Sequence, residues 1–342
     1  MQLRFTGRAG GVALAAAVAL GMAAMAPSTS AAQSPAAKSP AASPAASPAA
    51  QSNLPNRQAG ASAPAKHAAI GAQAGGNHSY DLNLDGWDDI TARNASTNQL
   101  NVYRHSQTFA GTATFLPSTT INNGWGGMTW LAPAFVTADE APDILARRSD
   151  GTLLVYPHSG TFGGTGTITV PTVLGFGWNL HDIIFIDDWD GDGDDDILGR
   201  PAGSGQIKLY LHSGTVNGTS TYQAPVNALN DGAQLDTWES MSDVNGDGVT
   251  DLVFRVSDGV LGAFDFVTGE EFLLGFGWNI NDQILINDVD HDGFSDIVAR
   301  RAGNGNLLAY RHQGTFDPNN PTATFQAPVV LGFGWNINNI IT

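Results

Sequence analysis

The chain has 342 residues, no cysteine, 32 acidic against 15 basic residues and a formal net charge of −17. The lack of cysteine excludes a disulfide-stapled scaffold, and the acidity argues against binding nucleic acid through its phosphates. All the acids lie from Asp81 onward, with ten of the basic residues, so that region carries a formal −22.

Residues 1–32 read as a secretory signal peptide. Arg4 and Arg8 precede an Ala- and Val-rich run from Gly11 to Ala26, and Ser30-Ala-Ala32 offers a cleavage site before Gln33. A permanent membrane anchor is the competing reading, but the run is short and mostly weakly apolar alanine. The expected mature protein is secreted, extracellular and not membrane-embedded, with the cell wall as one destination. Residues 33–76 are Ala, Pro and Ser with almost no large apolar side chain. Such a segment cannot bury enough surface to offset its ordering entropy, and a disordered spacer is expected.

From residue 77 to 342 one acidic loop recurs. It appears as Asp81-Leu-Asn83-Leu-Asp85-Gly-Trp-Asp-Asp89, then with Asp188, Asp190, Asp192 and Asp196, then with Asp243, Asn245, Asp247 and Asp251, and last with Asp288, Asp290, Asp292 and Asp296. Each copy has Asp or Asn at loop positions one, three, five and nine and Gly at six. Alternate oxygens on a tight turn converge on one point, and a hard cation that takes six to eight oxygen ligands fits there, with calcium the usual one. Position twelve is Ala92, Gly199, Phe254 or Ala299, so the bidentate Glu of an EF-hand is missing. About four calcium ions are expected, in a structural role.

The register extends beyond the loops. Gly-Trp pairs place Trp178 and Trp278 ten residues before Asp188 and Asp288. The same offset from Trp125 lands on Phe135 and opens a fifth loop, residues 135–143, whose metal chemistry is eroded. Ten before Asp243 stands Ala233, so that unit keeps the loop and lacks the Trp. Each unit also carries an Arg four residues past its ninth-position acid, expected to pair with acids in the blade stack. An aromatic follows about ten residues further on. Short apolar segments at 281–286, 296–301, 307–310 and 327–332, separated by turn signals, read as four strands per unit. Periods of about 40 to 55 residues with four short strands each predict propeller blades. Ten past Trp335 falls three residues beyond Thr342, and Asp81 fits that slot. The expected fold is therefore an all-β, five-bladed β-propeller closed by pairing of its N- and C-terminal segments.

The pattern Asp-x-Asp-x-Asp-Gly-x-x-Asp-Ile with a following Ala-Arg, as in Asp288 to Arg300, resembles the VCBS or FG-GAP repeat family of calcium-loop propellers, which includes the integrin α-chain head. The resemblance covers about residues 79–342. It implies calcium at the four intact loops. The chain departs from the family in having five units rather than the usual seven, and in carrying Gly-Phe-Gly-Trp-Asn where the family has its eponymous motif. Five blades with Gly-Trp also resemble, more loosely, the tachylectin-type lectins that bind amino sugars between blades.

Two further residue sets recur. His158, His212 and His312, with His105, stand two residues beyond the blade aromatic. They sit on different blades and cannot share one zinc; a polar strand-end residue and a donor in a shallow ligand pocket are the two readings. Trp178-Asn179, Trp278-Asn279 and Trp335-Asn336 read either as packing between blades or as a sugar site, an apolar face beside an amide. No Gly-x-Ser-x-Gly, Walker or His-Glu-x-x-His motif is present. The acids form equivalent loops rather than an unlike pair in one cleft, so no enzyme is expected. The expected function is carbohydrate recognition by a non-enzymatic module whose partner is a glycan. The alternative is an adhesion or scaffold module that binds a cell-surface protein through its loop face, and a glycan-active enzyme is a remote third.

Overall fold

The computed structural model describes residues 57–59 and 80–342. The expected signal peptide and most of the spacer lie outside the described residues.

Five antiparallel sheets form the blades of a five-bladed β-propeller. Blade one is β21 (Asn338–Ile341), β2 (Ile90–Asn94), β3 (Leu100–Tyr103) and β4 (Thr119–Asn122). Blade two is β5 (Met128–Ala134), β6 (Asp143–Arg148), β7 (Leu153–Tyr156) and β8 (Thr172–Gly175). Blade three is β9 (His181–Asp187), β10 (Asp196–Pro201), β11 (Ile207–Tyr210) and β12 (Val226–Asp231). Blade four is β13 (Asp236–Ser242), β14 (Asp251–Val256), β15 (Leu261–Phe264) and β16 (Glu271–Gly275). Blade five is β17 (Asn281–Asn287), β18 (Asp296–Arg301), β19 (Leu307–Tyr310) and β20 (Val329–Gly332). The first-named strand of each blade is innermost, and together they line a central channel of about 350 Å³.

Between the ninth-position acid and the Arg the second strands are apolar but for Thr91, reading Ile-x-Ala-Arg in blades one, two and five, because both of their faces are covered. In β18, Ile297, Val298 and Ala299 are all fully buried, as expected where a sheet has a neighbour on each side. The apolar core accordingly divides into five clusters, each shared by two consecutive blades. Ring closure follows the expected pairing: β21 lies antiparallel to β2, with Ile341 opposite Ala92 and Ile340 opposite Arg93. Thr91 and Thr342 exchange both backbone hydrogen bonds, at 2.7 and 2.8 Å.

Between blades the chain makes a short 3-10 turn that begins with the Gly-Trp pair. The Gly must adopt positive φ there, +77° at Gly177 and +74° at Gly277, a conformation costly for any residue with a Cβ. Each Trp then drops into the junction with the next blade. Ring centroids lie 4.6 Å apart for Trp125 and Tyr156, 4.7 Å for Trp178 and Tyr210, 4.6 Å for Trp278 and Tyr310, and 4.3 Å for Trp335 and Tyr103. The recurring Arg closes the same junction. Arg93, Arg147, Arg200, Arg255 and Arg300 each donate to two carbonyls of the turn that leaves their blade: Trp125 and Met128, Trp178 and His181, Ala233 and Asp236, Trp278 and Asn281, Trp335 and Asn338. Pairing with acids was the expectation. Arg200 and Arg300 do meet Asp182 and Asp282, each at 2.8 Å, but the common partner of all five is carbonyl oxygen. A guanidinium directs several donors in a fixed fork and satisfies turn carbonyls that no strand can reach.

One unit departs from this pattern, and its changes compensate one another. Ala233 stands where the other blades place Trp. Across the junction, Phe254 replaces the small residue found at Ala92, Ala146, Gly199 and Ala299, and all lie in equivalent places on the second strand. Gly262 makes room for it, since a Cβ there would sit 2.6 Å from the Phe254 ring. The large side chain has moved from one blade to its neighbour.

The spacer expectation fails at one place. Residues 57–59 do not lie free: β1 (Gln58–Ala59) adds a fifth strand to blade three, antiparallel to β12. Composition gave no signal for so short a strand, because its anchor is a single charged residue, Arg57.

The buried indoles carry a clear mutational expectation. Trp278 is 4% exposed, so Trp278→Ala should lower the unfolding free energy by about 3–5 kcal/mol. Denaturant titration of the folded variant measures this. A loss below about 1 kcal/mol would contradict the packing role.

Candidate metal centres

Each intact loop leads into the second strand of its blade, from the innermost strand at Asp188, Asp243 and Asp288 and from the N-terminal side at Asp81, and its backbone is organised around the first carboxylate. Asp81 accepts the amides of Asp85 and Gly86 at 3.1 and 2.7 Å. Asp188 accepts those of Gly191, Asp192 and Gly193, Asp243 those of Gly246 and Gly248, and Asp288 those of Asp292 and Gly293. The turn Gly that makes this possible has φ of +88° at Gly86 and +91° at Gly293. Position five, Asp85, Asp192, Asp247 and Asp292, accepts an amide two residues on and is exposed to solvent in all four loops.

In two of the four loops the acids at positions one, three and nine come together, without the position-five acids Asp192 and Asp292. Oxygens of Asp188, Asp190 and Asp196 lie within 4.8 Å of one another, as do those of Asp288, Asp290 and Asp296. Asn83 and Asn245 occupy the third position in the other two loops. Several of these oxygens are buried with no hydrogen-bond donor, among them Asn83 Oδ1, Asp89 Oδ2 and Asp290 Oδ1. Buried acceptors are rarely left so, and a bound cation is one way to satisfy them. The ninth-position acids Asp89, Asp196, Asp251 and Asp296 are each pushed up to about 8, by burial first, with neighbouring carboxylates adding to it. Asp288 is pushed up to about 6, again chiefly by burial. Acids crowded and buried in this way lack a countercharge, and a divalent cation would supply it. The donor set, all oxygen and largely carboxylate, fits calcium.

The fifth loop shows what erosion looks like. Thr137 donates its hydroxyl to Asp143 Oδ1 at 3.1 Å and its amide to Oδ2 at 2.7 Å. Protein donors satisfy the ninth-position acid, Asp143, as a cation would elsewhere.

The loops also couple blades, and the recurring His is part of that coupling. The ninth-position acid accepts the amide of its own blade's His: Asp89 from His105, Asp143 from His158, Asp196 from His212 and Asp296 from His312, at 2.8, 2.8, 2.6 and 2.7 Å. The Nε2 of His105, His158 and His312 then lies 3.0, 3.2 and 3.2 Å from the position-two carbonyl of the preceding blade's loop, at Val289, Leu82 and Val244. Nδ1 in each accepts a backbone amide two residues on, so Nε2 carries the proton and neither nitrogen is left for a ligand. His158, His212 and His312 are all buried. The shallow-pocket reading of these residues has no accessible face to act through. In unit four Phe266 takes the His position, and its ring meets Trp189, the position-two residue of the preceding loop, at 5.1 Å.

Position eight is a contact that sequence reasoning missed. Asp88 accepts the amide of Asp288 in blade five at 3.0 Å, Asp195 that of Phe135 in blade two at 2.7 Å, and Thr250 donates to Asp187 of blade three at 3.0 Å. The extra acids in Asp88-Asp89 and Asp195-Asp196 were the only visible sign.

The second candidate set separates into two halves. Trp178, Trp278 and Trp335 are buried in the blade junctions, while Asn179, Asn279 and Asn336 are exposed on the rim. The aromatic that faces solvent is the Phe two residues before the Trp: Phe176 and Phe333 are 71% and 70% exposed. Phe276 is half-buried. A cleft of about 450 Å³ opens where blades one and two meet, lined by Asn122, Asn123, Trp125, Tyr156, Thr169 and Val170.

No family model and no curated protein sequence matches the chain. Among solved structures, the crystal structure of TcdB2-TccC3 is similar over 73% of this chain at 14% identity, with a TM-score of 0.32. The chain spans 13% of that one's length.

Proposed function

We propose that this chain is a secreted, calcium-stabilised propeller of VCBS/FG-GAP-like repeats that serves as a non-enzymatic module for binding carbohydrate. One observation carries the ligand class. The loops that end blades two and five present the same pair, an exposed Phe three residues before an exposed Asn, at Phe176 and Asn179 and again at Phe333 and Asn336. An apolar ring next to an amide suits the two faces of a sugar ring. The cleft at Trp125 is of small-ligand size, within the usual range of roughly 300–1,000 Å³. In each intact loop the side chains at positions one, three, five and nine would hold the ion. Its contribution would be to fix the loop that leads into the second strand, and hence the inter-blade bonds made at positions two and eight.

Repeated shallow sites imply weak binding per site and avidity from several blades together. A glycan array probed with and without calcium tests this. Phe176→Ser and Phe333→Ser, both at exposed positions, should each lower avidity while leaving the fold unchanged. A blank array, or variants that bind as wild type does, would overturn the carbohydrate reading. Leu180, Leu235, Ile280 and Ile337 are also exposed on these turns. Their apolar character favours a cell-surface protein partner as the second reading.

A further inference from the structure

We propose that the junction of blades three and four is a docking site for an extended, arginine-bearing peptide segment, and that residues 57–59 of this chain are its occupant. The site combines an acidic socket, an aromatic floor and an open strand edge. Arg57 is buried; its Nη2 lies 2.7 Å from Asp236 Oδ1 and its Nε 3.2 Å from Glu271 Oε1. The guanidinium sits 3.6 Å above the centre of the Phe254 ring, a stacking geometry favourable for a cation. Just past the Arg, Gln58 and Ala59 pair with Asp231 and Leu229 along the free edge of β12. A side-chain pocket beside a strand edge is the arrangement of strand-addition peptide sites, where the backbone supplies affinity and the pocket supplies specificity.

The socket is particular to this junction. At the position of Glu239 the other blades carry Leu131, Ile184, Ile284 and Ile341. A fully buried acid there has no part in the common blade design, and neither of its carboxylate oxygens accepts a hydrogen bond. Arg200, 3.8 Å from Glu239, already serves the Ala233 and Asp236 carbonyls and Asp182. Without Arg57, Asp236 and Glu239 would be left to Arg200, and Glu271 would lose its ion pair. Burial pushes Glu239 well above the usual carboxylate range and Glu271 up to about 7. Gly232 shapes the wall: a Cβ there would lie 2.9 Å from Arg57 Cα. This is also the junction that lacks the blade-ending Trp. The changes to Ala233, Phe254 and Gly262 thus leave a flat aromatic floor on which a planar cation stacks.

Trypsin cleaves after Arg, so the 57–58 bond in the full-length chain reports the clasp directly. In wild type that bond should resist cleavage. Glu271→Gln and Asp236→Asn should each speed its cleavage about tenfold or more, by releasing the segment. Arg57→Ala should lower Tm and empty the socket. A labelled peptide of residues 53–62 should then bind the Arg57→Ala chain and bind wild type at least about tenfold more weakly. The same peptide carrying Ala at position 57 should bind neither. Equal cleavage rates in wild type and both acid variants, or no binding of the peptide to the Arg57→Ala chain, would overturn the proposal. A wild-type dimer that dissociates on Arg57→Ala would assign the segment to a second copy and overturn the intrachain clasp.

Discussion

Removal of residues 336–342 should leave no soluble monomer. The deleted stretch contains β21, the innermost strand of blade one, so the loss is not a frayed end but the inner wall of a blade. Ile341 leaves its place in the cluster shared by blades five and one. Arg300 loses the Asn338 carbonyl, and β2 loses the partner that pairs with Ala92, Arg93 and Asn94. An inner strand edge is then bare in a ring that otherwise encloses its inner edges, and bare edges pair with other chains. Size-exclusion chromatography and circular dichroism of the truncated chain check this, with aggregation or loss of β signal as the expected outcome. A folded monomer would mean that the ring does not need closing. Deleting residues 33–56 should leave Tm unchanged, whereas deletion through residue 75 also removes Arg57 and should lower it.

Chelation of calcium should lower Tm by a large margin and in a cooperative way. Each site kept at about a hundred times its Kd contributes roughly 2.7 kcal/mol to the native state by linkage, and four intact loops act together. The effect reaches beyond the loops, because the residues involved also hold the blades to one another. Asp89 and Asp296 carry the His105 and His312 amides, and those rings reach the position-two carbonyls of the preceding loops. Without the ion, three or four acid or amide oxygens per loop face one another with no countercharge. Differential scanning calorimetry in EDTA, then with calcium restored, gives the comparison. An unchanged Tm would mean that the loops hold themselves through protein donors alone, as the loop at Asp143 does through Thr137.

Most of the architecture was legible because the repeat is strict. Fixed offsets between Trp, ninth-position acid, Arg and aromatic located five units, the eroded loop at 135–143 and the pairing of chain ends. The strands expected at 296–301 and 307–310 have those bounds in the structure. What the repeat could not reveal was direction. The Gly-Phe-Gly-Trp-Asn stretch places two aromatics two residues apart. The positive-φ Gly between them turns the chain, so the Trp enters the junction while the Phe stays outside. The His residues looked like strand-end polar groups, but their bonds run to loops some 70 to 180 residues away, such as Val244 from His312 and Val289 from His105. Pairing at that distance leaves no trace in a single sequence. Arg57 is the extreme case: its partners Asp236 and Glu271 lie in a different blade from the strand it extends. The substitutions at Ala233, Phe254, Gly262 and Glu239 that receive it are each visible only against the other four blades.

The most direct test of the account is the number of calcium ions held by the folded protein. Purified full-length chain, dialysed against trace-metal-free buffer with low free calcium, would be analysed for bound metal by mass spectrometry and titrated calorimetrically. The account predicts four calcium ions per chain, about three for Asp296→Asn, and no gain in wild type from the loop at 135–143. A wild-type protein that is folded and binds no calcium would contradict it.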